Sequence, residues 1–206
     1  MELTKNALIL ISNGFEEIEA VCPIDLLRRA EVNVTVCSCD ETLSVKGRSG
    51  ISIQADCNLQ SIEERSFDLL ILPGGPGVFE LRKNPGVLKV IQKHFNHGKW
   101  IGAICAAPLL LLDAKVLNET KHTAHASVVN ELPNLLRGED VVMDKNIITS
   151  AGAGTAVPFG LKLVEILLSE EKANEIAHSI HAPYPIDKKW KLSEDTPEKK
   201  ELPAWK

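Results

Sequence analysis

The sequence predicts an α/β protein in which a mostly parallel β-sheet lies between two layers of helices. Short apolar runs alternate with segments whose apolar residues recur every three or four positions. The runs are nearly continuous, which is typical of strands that are covered on both faces. The length of 206 residues suits one domain of this kind.

Five apolar runs are predicted as strands of this sheet, at residues 7–11, 34–37, 69–72, 101–104 and 147–149. The apolar spacing predicts three helices with inner faces formed by Phe15, Ile18, Cys22 and Leu26, by Val87, Ile91 and Phe95, and by Val157, Leu161, Val164 and Leu168. Turn residues predict two hairpins, at residues 45–53 and 141–149.

The composition changes near Pro183, so we predict a domain of residues 1–182 and a charged C-terminal extension of residues 183–206. Five of residues 187–206 are acidic and six are basic, which is typical of a disordered segment. Trp190 and Trp205 predict instead that the extension is anchored on a protein surface.

Composition excludes several classes of function. The net charge of -5 and the aromatic content of 4% argue against nucleic-acid binding. The longest apolar runs are too short to cross a membrane, and the N-terminal segment lacks the pattern of a secretory signal. The five cysteines are odd in number and scattered through apolar contexts, which suggests reduced thiols in a cytosol-like compartment. They have no zinc-finger or CxxC spacing. We therefore expect a cytoplasmic protein without a metal or another cofactor.

The sharpest functional signal is Cys105, which follows the predicted strand 101–104 and precedes an apolar helix at residues 108–112. A residue at such a tight turn projects above the sheet, over a helix N-terminus that favours an anion. We expect the pKa of this thiol to lie below the reference value of about 8.5. The alternative is a plain buried cysteine.

Two further segments are expected at the same edge of the sheet, because the carboxyl ends of parallel strands meet there. The loop at residues 72–77 is either a simple turn or part of an oxyanion hole, in which the N–H groups of Gly75 and Ala106 point to the thiol. Glu16 suits a helix N-terminus as a favourable charge. Glu19 lies further along the helix and is expected to reach the thiol, with a pKa raised by burial and repulsion, so that it can hold or move a proton.

The histidines carry weaker signals. His122 and His125 follow a predicted strand, but a lone histidine is more often structural or exposed. The other four are expected on helix surfaces: His94, His97, His178 and His181.

Four motifs stand in the order seen in the ThiJ/PfpI superfamily, which the chain resembles over residues 5–182. Within it, the similarity is to the branch of the parkinsonism-associated deglycase. The motifs are Asn13-Gly14-Phe15-Glu16-Glu17-Ile18-Glu19, Leu72-Pro73-Gly74-Gly75, Ala103-Ile104-Cys105-Ala106-Ala107-Pro108 and Thr149-Ser150-Ala151-Gly152-Ala153-Gly154-Thr155.

The resemblance implies a flavodoxin-like fold, a homodimer and a site built on a nucleophile elbow. It implies that Cys105 is the reactive cysteine, that Glu19 pairs with it and that His125 is a neighbouring histidine. It also implies that the amides of Gly75 and Ala106 face the sulfur, and that Gly74 and Arg48 belong to the pocket, Arg48 reaching it from the partner subunit.

This sequence departs from the superfamily at two places. The common Ser-Arg-Gly-Pro-Gly-Thr loop lacks its arginine and proline here, at residues 150–155. Lys46 replaces a cysteine that often lies two residues before the arginine, so a role for that cysteine is absent.

Two functions remain open on these residues. The first is a glutathione-independent glyoxalase or deglycase acting on 2-oxoaldehydes such as methylglyoxal, or on glycated groups. The second is a non-enzymatic redox sensor or holdase chaperone that uses an oxidisable Cys105 in oxidative stress. A class I glutamine amidotransferase shares the fold type but needs Gly-x-Cys-x-Gly and a later His-x-Glu, and neither pattern occurs in the chain.

Overall fold

The computed structural model describes residues 4–183, and the strands and helices in this range follow the predicted alternation. The strands are β1 (Asn6–Ile11), β2 (Asn33–Ser38), β3 (Ser44–Lys46), β4 (Ser52–Gln54), β5 (Cys57–Asn58), β6 (Leu69–Leu72), β7 (Trp100–Ile104), β8 (Val141–Asp144) and β9 (Ile147–Ser150). The helices are α1 (Glu17–Arg29), α2 (Val78–Leu81), α3 (Pro85–Asn96), α4 (Pro108–Asp113), α5 (Ala156–Leu167) and α6 (Glu170–Ser179). Trp190 and Trp205, the predicted anchors of the extension, lie outside the described residues.

The central sheet has seven strands in the order β5-β2-β1-β6-β7-β9-β8. Neighbouring strands are parallel except β8 and β9, which form the second predicted hairpin. The five long parallel strands, counted along the chain, have the order 2-1-3-4-5 of flavodoxin-like folds. The first predicted hairpin is present as the separate antiparallel pair of β3 and β4. The predicted fold class is therefore confirmed.

Alternate residues of the inner strands face two separate cores, which explains why their sequences are apolar throughout. In β1, Ala7, Ile9 and Ile11 pack in the core under α1, α5 and α6. Leu8 and Leu10 pack in the core under α2, α3 and α4. Both cores hold the carboxyl ends of β1, β6 and β7 rigidly beside one another.

The inner face predicted for α1 is wrong at Ile18, which is 55% exposed. The helix instead turns Glu17 and Glu19 towards the interior, where they are 6% and 1% exposed. Backbone N–H groups of Ser49 and Gly74 donate to these two carboxylates and offset the cost of burying them.

Three smaller differences concern exposure and length. Val157 and Leu168, predicted on the inner face of α5, are 36% and 40% exposed, and Leu168 lies just beyond the helix. His94 was expected on a surface but is buried on α3, where its Nδ1 lies 3.0 Å from the Val90 carbonyl oxygen. The short strand β5 was not predicted, because two residues carry no periodic signal.

Within residues 4–183, none of the helices combines the length and the apolar character needed to span a bilayer.

Candidate active site

Cys105 lies directly after β7 in a strained turn. Its φ of 65° falls in the left-handed region, which a residue with a side chain rarely adopts. Its N–H donates to the Ser150 carbonyl at 2.9 Å, and its carbonyl accepts from the N–H of His125 at 2.9 Å. These two bonds from neighbouring segments hold the strained backbone, which places Cys105 on a strand-to-helix elbow as predicted.

Glu19 reaches this elbow from α1 and is almost completely buried. Its Oε2 accepts a hydrogen bond of 2.8 Å from the N–H of Gly74, and its carboxyl is hydrogen-bonded to the Cys105 thiol. Burial raises the pKa of Glu19 to about 7, against the opposing effects of the Cys105 and Gly74 hydrogen bonds. The charge of Glu16 raises this pKa further and that of Arg48 lowers it. Protonated and ionised forms of Glu19 are therefore both populated at neutral pH.

Glu16 caps the helix that carries this carboxyl. Its Oε2 accepts a hydrogen bond of 2.8 Å from the Glu19 N–H, which agrees with the helix N-terminal position expected for it.

Two backbone amides approach the sulfur from the other side. The N–H groups of Ala106 and Gly75 both form hydrogen bonds to the Cys105 side chain. Gly75 has a φ of 98°, and a Cβ at this position would lie 2.4 Å from the Gly14 carbonyl oxygen, so only glycine fits. The structure thus brings together the two amides that the sequence predicts as an oxyanion hole.

The expected low pKa of Cys105 is wrong. Burial, together with the charge and the hydrogen bond of Glu19, raises the pKa of this thiol to about 12, although the two amides act to lower it. Glu19 raises the pKa of the Cys105 thiol only while its own carboxyl is ionised. When Glu19 holds the proton, it donates to sulfur instead, so thiol and carboxyl must be treated as one pair that shares a negative charge.

Glu17 connects the site to the hairpin of β3 and β4. Its Oε1 accepts a hydrogen bond of 2.7 Å from the Ser49 N–H, and Gly47 packs so closely that a Cβ there would lie 2.4 Å from this oxygen. Burial raises the pKa of Glu17, but bonds from its own amide and those of Ser49 and Ile51 outweigh burial and lower it. This role of Glu17 was not predicted from the sequence, in which the glycines of the facing loop are the only local sign of a close approach.

Arg48 lies on the same hairpin loop and acts on its own chain. Its N–H donates to the Phe15 carbonyl at 2.9 Å, and its charge lowers the pKa of Glu19. The approach of Arg48 to the pocket of a partner subunit, which the resemblance implies, stays a prediction.

His125 lies at the rim rather than on the sulfur. Its side chain is exposed, and its Nδ1 lies 2.8 Å from the Ser127 Oγ. Gly152 separates it from the carboxyl, because a Cβ on Gly152 would lie 3.5 Å from the His125 ring and 4.0 Å from Glu19 Oε1. His122 is fully buried, and its Nδ1 lies 2.8 Å from the Thr120 carbonyl oxygen, as in a structural histidine.

Gly74 packs closely against both members of the thiol–carboxyl pair. A Cβ at this position would lie 2.7 Å from the Cys105 Cβ and 2.7 Å from Glu19 Oε2. The absence of a side chain at Gly74 is therefore what allows thiol and carboxyl to meet.

Two other features bear on ligands. Within residues 4–183, no group of three or more His, Cys, Asp or Glu side chains is placed to hold a metal ion. A cavity of about 650 Å³ lies between α3 and the 3₁₀ turn Leu59–Ile62, and none of the predicted site residues lines it. The reactive groups that the described residues bring together are therefore those of the buried thiol–carboxyl pair.

A flavodoxin-like sheet with a cysteine on a nucleophile elbow, a buried carboxyl and two facing amides defines a class of cysteine-based α/β proteins. The sequence model of the DJ-1/PfpI family matches residues 5–166, and the chain belongs to this family.

Curated relatives and solved structures agree with this assignment. The chain is 35% identical to the glutathione-independent glyoxalase DJR-1.2 of Caenorhabditis elegans, over 85% of this chain and 96% of that protein. It is also 35% identical to protein DJ-1 homolog B of Arabidopsis thaliana over 85% of this chain, but it spans only 41% of that longer protein.

The crystal structure of Drosophila melanogaster DJ-1beta superposes with a TM-score of 0.86 at 33% identity, covering 88% of this chain and 100% of that one. That of oxidized Toxoplasma gondii DJ-1 superposes with a TM-score of 0.85 at 32% identity, with the same coverage.

Proposed function

We propose that the protein is a cysteine-dependent, glutathione-independent glyoxalase or deglycase that acts on 2-oxoaldehydes such as methylglyoxal. The observation that carries this proposal is the meeting of a thiol, a carboxyl with a pKa near neutrality and two amide donors at one point of the sheet edge. The name of the C. elegans relative supports the choice of reaction.

The reaction begins with addition of the Cys105 thiol to the aldehyde carbon. The thiol proton passes through Glu19 to the aldehyde oxygen, and the product is a hemithioacetal. Glu19 then removes the hydrogen of the former aldehyde carbon and returns a proton to the neighbouring carbon, which converts the hemithioacetal into a thioester. Water hydrolyses the thioester to lactate and frees the thiol.

The site residues suit the charges that develop along this path. The amides of Gly75 and Ala106 stabilise the oxygen anion of the enediolate. A carboxyl that is half protonated at neutral pH serves as acid and base in turn. His125 and Arg48, at the pocket opening, orient the substrate carbonyl groups. On a glycated protein, the Cys105 thiol would displace the side-chain amine or thiol from the former aldehyde carbon of the adduct. The side chain takes up the thiol proton and leaves, and the same isomerisation and hydrolysis then give lactate.

The test is lactate release from methylglyoxal in the absence of glutathione, comparing the wild type with Cys105→Ser and Glu19→Gln. We expect turnover by the wild type and loss in both variants. Turnover by Glu19→Gln at the wild-type rate would contradict the proton-transfer role.

The second candidate is a redox sensor or holdase, favoured by the two amides that face the sulfur and by the oxidized relative from T. gondii. Two equivalents of peroxide convert the Cys105 thiol into a sulfinate and release two molecules of water. Protonated Glu19 and the amides stabilise the sulfinate. Clean oxidation of Cys105 without any lactate release by the wild type would replace the first function with this one.

We also propose that the protein is a homodimer. Ile18 and Val21 on α1 and Ile51 on the neighbouring hairpin form an exposed apolar surface, with 55%, 46% and 58% exposure. Such a surface favours burial against a second copy. Sedimentation should give a dimer at micromolar concentration, and Ile51→Asp should shift it towards the 22.5 kDa monomer. A monomeric wild type would contradict this proposal.

We also propose a cytoplasmic location, and the five free cysteines support it because reduced thiols suit a reducing compartment. Fractionation of cells that express the full chain tests this location.

A further inference from the structure

A second group of thiols lies on β2 and β5 at one edge of the central sheet, and two strands, β1 and β6, separate β2 from the strand β7 that leads to Cys105. Cys37 on β2 and Cys57 on β5 are directly paired in the parallel register, so both side chains project from the same face. Cys57 lies close enough to raise the pKa of the Cys37 thiol, which donates a hydrogen bond of 3.6 Å to the Ser38 carbonyl oxygen. Neither residue takes part in the proposed reaction of Cys105 and Glu19.

The spacing of the two strands allows a covalent bond. Paired residues of neighbouring strands lie about 4.7–4.9 Å apart, which is within the Cα separation of about 4.4–6.8 Å found in disulfides. Side chains of directly paired parallel residues project side by side rather than towards each other, so such a bond is strained and easily reduced.

The two thiols differ in their access to solvent. Cys37 is 0% exposed in the core under α3. Cys57 is only partly buried and lines a cavity of about 420 Å³ together with Arg28 and Asp56. Burial raises the pKa of the Cys37 thiol, with further increases from Cys39 and Cys57, which makes Cys37 a poor direct target for an oxidant. A partly buried cysteine beside a fully buried one suits a peroxide-reactive cysteine and its resolving partner.

We propose that Cys37 and Cys57 form a reversible intramolecular disulfide in response to peroxide, independently of Cys105. Peroxide first oxidises the Cys57 thiol to a sulfenic acid and releases one water. The Cys37 thiol then attacks the sulfenic sulfur, the S–S bond forms, and the hydroxyl group leaves as a second water after taking up the thiol proton. One peroxide thus oxidises two thiols, and a dithiol reductant reverses the step.

The disulfide has a defined structural consequence. It closes residues 38–56 into a loop that contains the hairpin of β3 and β4, including Arg48 and the Ser49 amide that holds Glu17. Oxidation at the edge of the sheet would therefore tie down the base of the segment that reaches the Cys105 site.

The test uses the full chain carrying Cys105→Ser, so that oxidation of the elbow cysteine does not interfere. The protein is treated with hydrogen peroxide, alkylated, digested with trypsin without reductant and analysed by mass spectrometry. We expect peptides 30–46 and 49–65 to be joined through Cys37 and Cys57 in most molecules, and dithiothreitol to separate them. Adding Cys57→Ser should abolish the joined species, while Cys22→Ser, which removes a cysteine with no neighbouring thiol, should leave it unchanged.

Cys39 lies in the same peptide as Cys37 and needs its own control. Cys39→Ser should retain the joined peptides, and Cys37→Ala should lose them while keeping the circular dichroism of the folded protein. Recovery of Cys37 and Cys57 as free alkylated thiols after peroxide would overturn the proposal. A bond through Cys39, or disulfides only between chains, would overturn it as well.

Discussion

Replacing Glu19 by glutamine tests the charge state of the site through its effect on stability. Burial raises the pKa of Glu19 from its ordinary value of 4.5 to about 7. A raised pKa means that the folded protein binds the proton more tightly than the unfolded chain does. The associated stability is fully present below pH 4.5 and is lost as the pH rises through 7, a difference of about 3 kcal/mol.

Glutamine carries no charge at any pH and therefore lacks this dependence. Its side-chain oxygen can still accept the Gly74 N–H bond, which is 2.8 Å long in the wild type. At pH 8 we expect the melting temperature of Glu19→Gln to exceed that of the wild type by roughly 6–12 °C. The two melting temperatures should converge as the pH approaches 5.

Glu19→Gln should lower the turnover of methylglyoxal, although it raises the melting temperature at pH 8. The ionised fraction of Glu19 rises from about 9% at pH 6 to about 91% at pH 8 for a pKa of about 7. If the carboxylate is the base, kcat/KM of the wild type for methylglyoxal rises about tenfold over this range. Glu19→Gln should lose about 10²- to 10⁴-fold in kcat at pH 8.

Calorimetry over a pH series measures the effect on stability, and lactate release over the same series measures the effect on activity. Glu41→Gln, a change at an exposed carboxylate, is the control and should alter neither. A wild-type rate that is flat between pH 6 and 8, together with a variant no more stable at pH 8, would refute a raised pKa of Glu19. Thiolate absorbance that appears between pH 6 and 8 would instead assign the shared charge to sulfur.

Three further changes probe the surroundings of the site. Gly74→Ala places a Cβ 2.7 Å from the Cys105 Cβ and should reduce the free energy of unfolding by about 1–3 kcal/mol and abolish most of the turnover. The control is Gly154→Ala, where a Cβ meets nothing within 4 Å. It should change neither calorimetric stability nor lactate release. Arg82→Met removes a bidentate ion pair with Asp113 and a further ion pair with Glu131. Chemical denaturation should therefore show a loss of about 1.5–3 kcal/mol in the free energy of unfolding. The control Lys83→Met, which removes an exposed ion pair with Glu80, should cost less than about 0.5 kcal/mol. Glu17→Ala frees an amide of the hairpin loop, and hydrogen exchange should become faster there; unchanged exchange would contradict the anchoring role of this carboxylate.

The strands, the hairpins and the position of the elbow could be predicted because their signals are local. A strand covered on both faces needs apolar residues at every position, and the run at residues 7–11 shows this directly. The placement of Cys105 between a buried strand and an apolar helix depends on a few adjacent residues. Parallel strands end at one edge of the sheet, so the approach of Glu19, Gly75 and Ala106 to the thiol also followed from the order of the elements.

The orientation of α1 and the charges of the site were decided only by the tertiary structure. Apolar spacing placed Ile18 inside, but the helix buries Glu17 and Glu19 because amides from Ser49 and Gly74, distant in sequence, satisfy their oxygens. A pKa depends on burial and on every nearby charge, so the local signal of a helix N-terminus gave the wrong direction for Cys105. Local sequence patterns thus largely determine which residues come together at the site. The proton affinities of Cys105 and Glu19 depend instead on desolvation and long-range contacts, which only the folded chain creates.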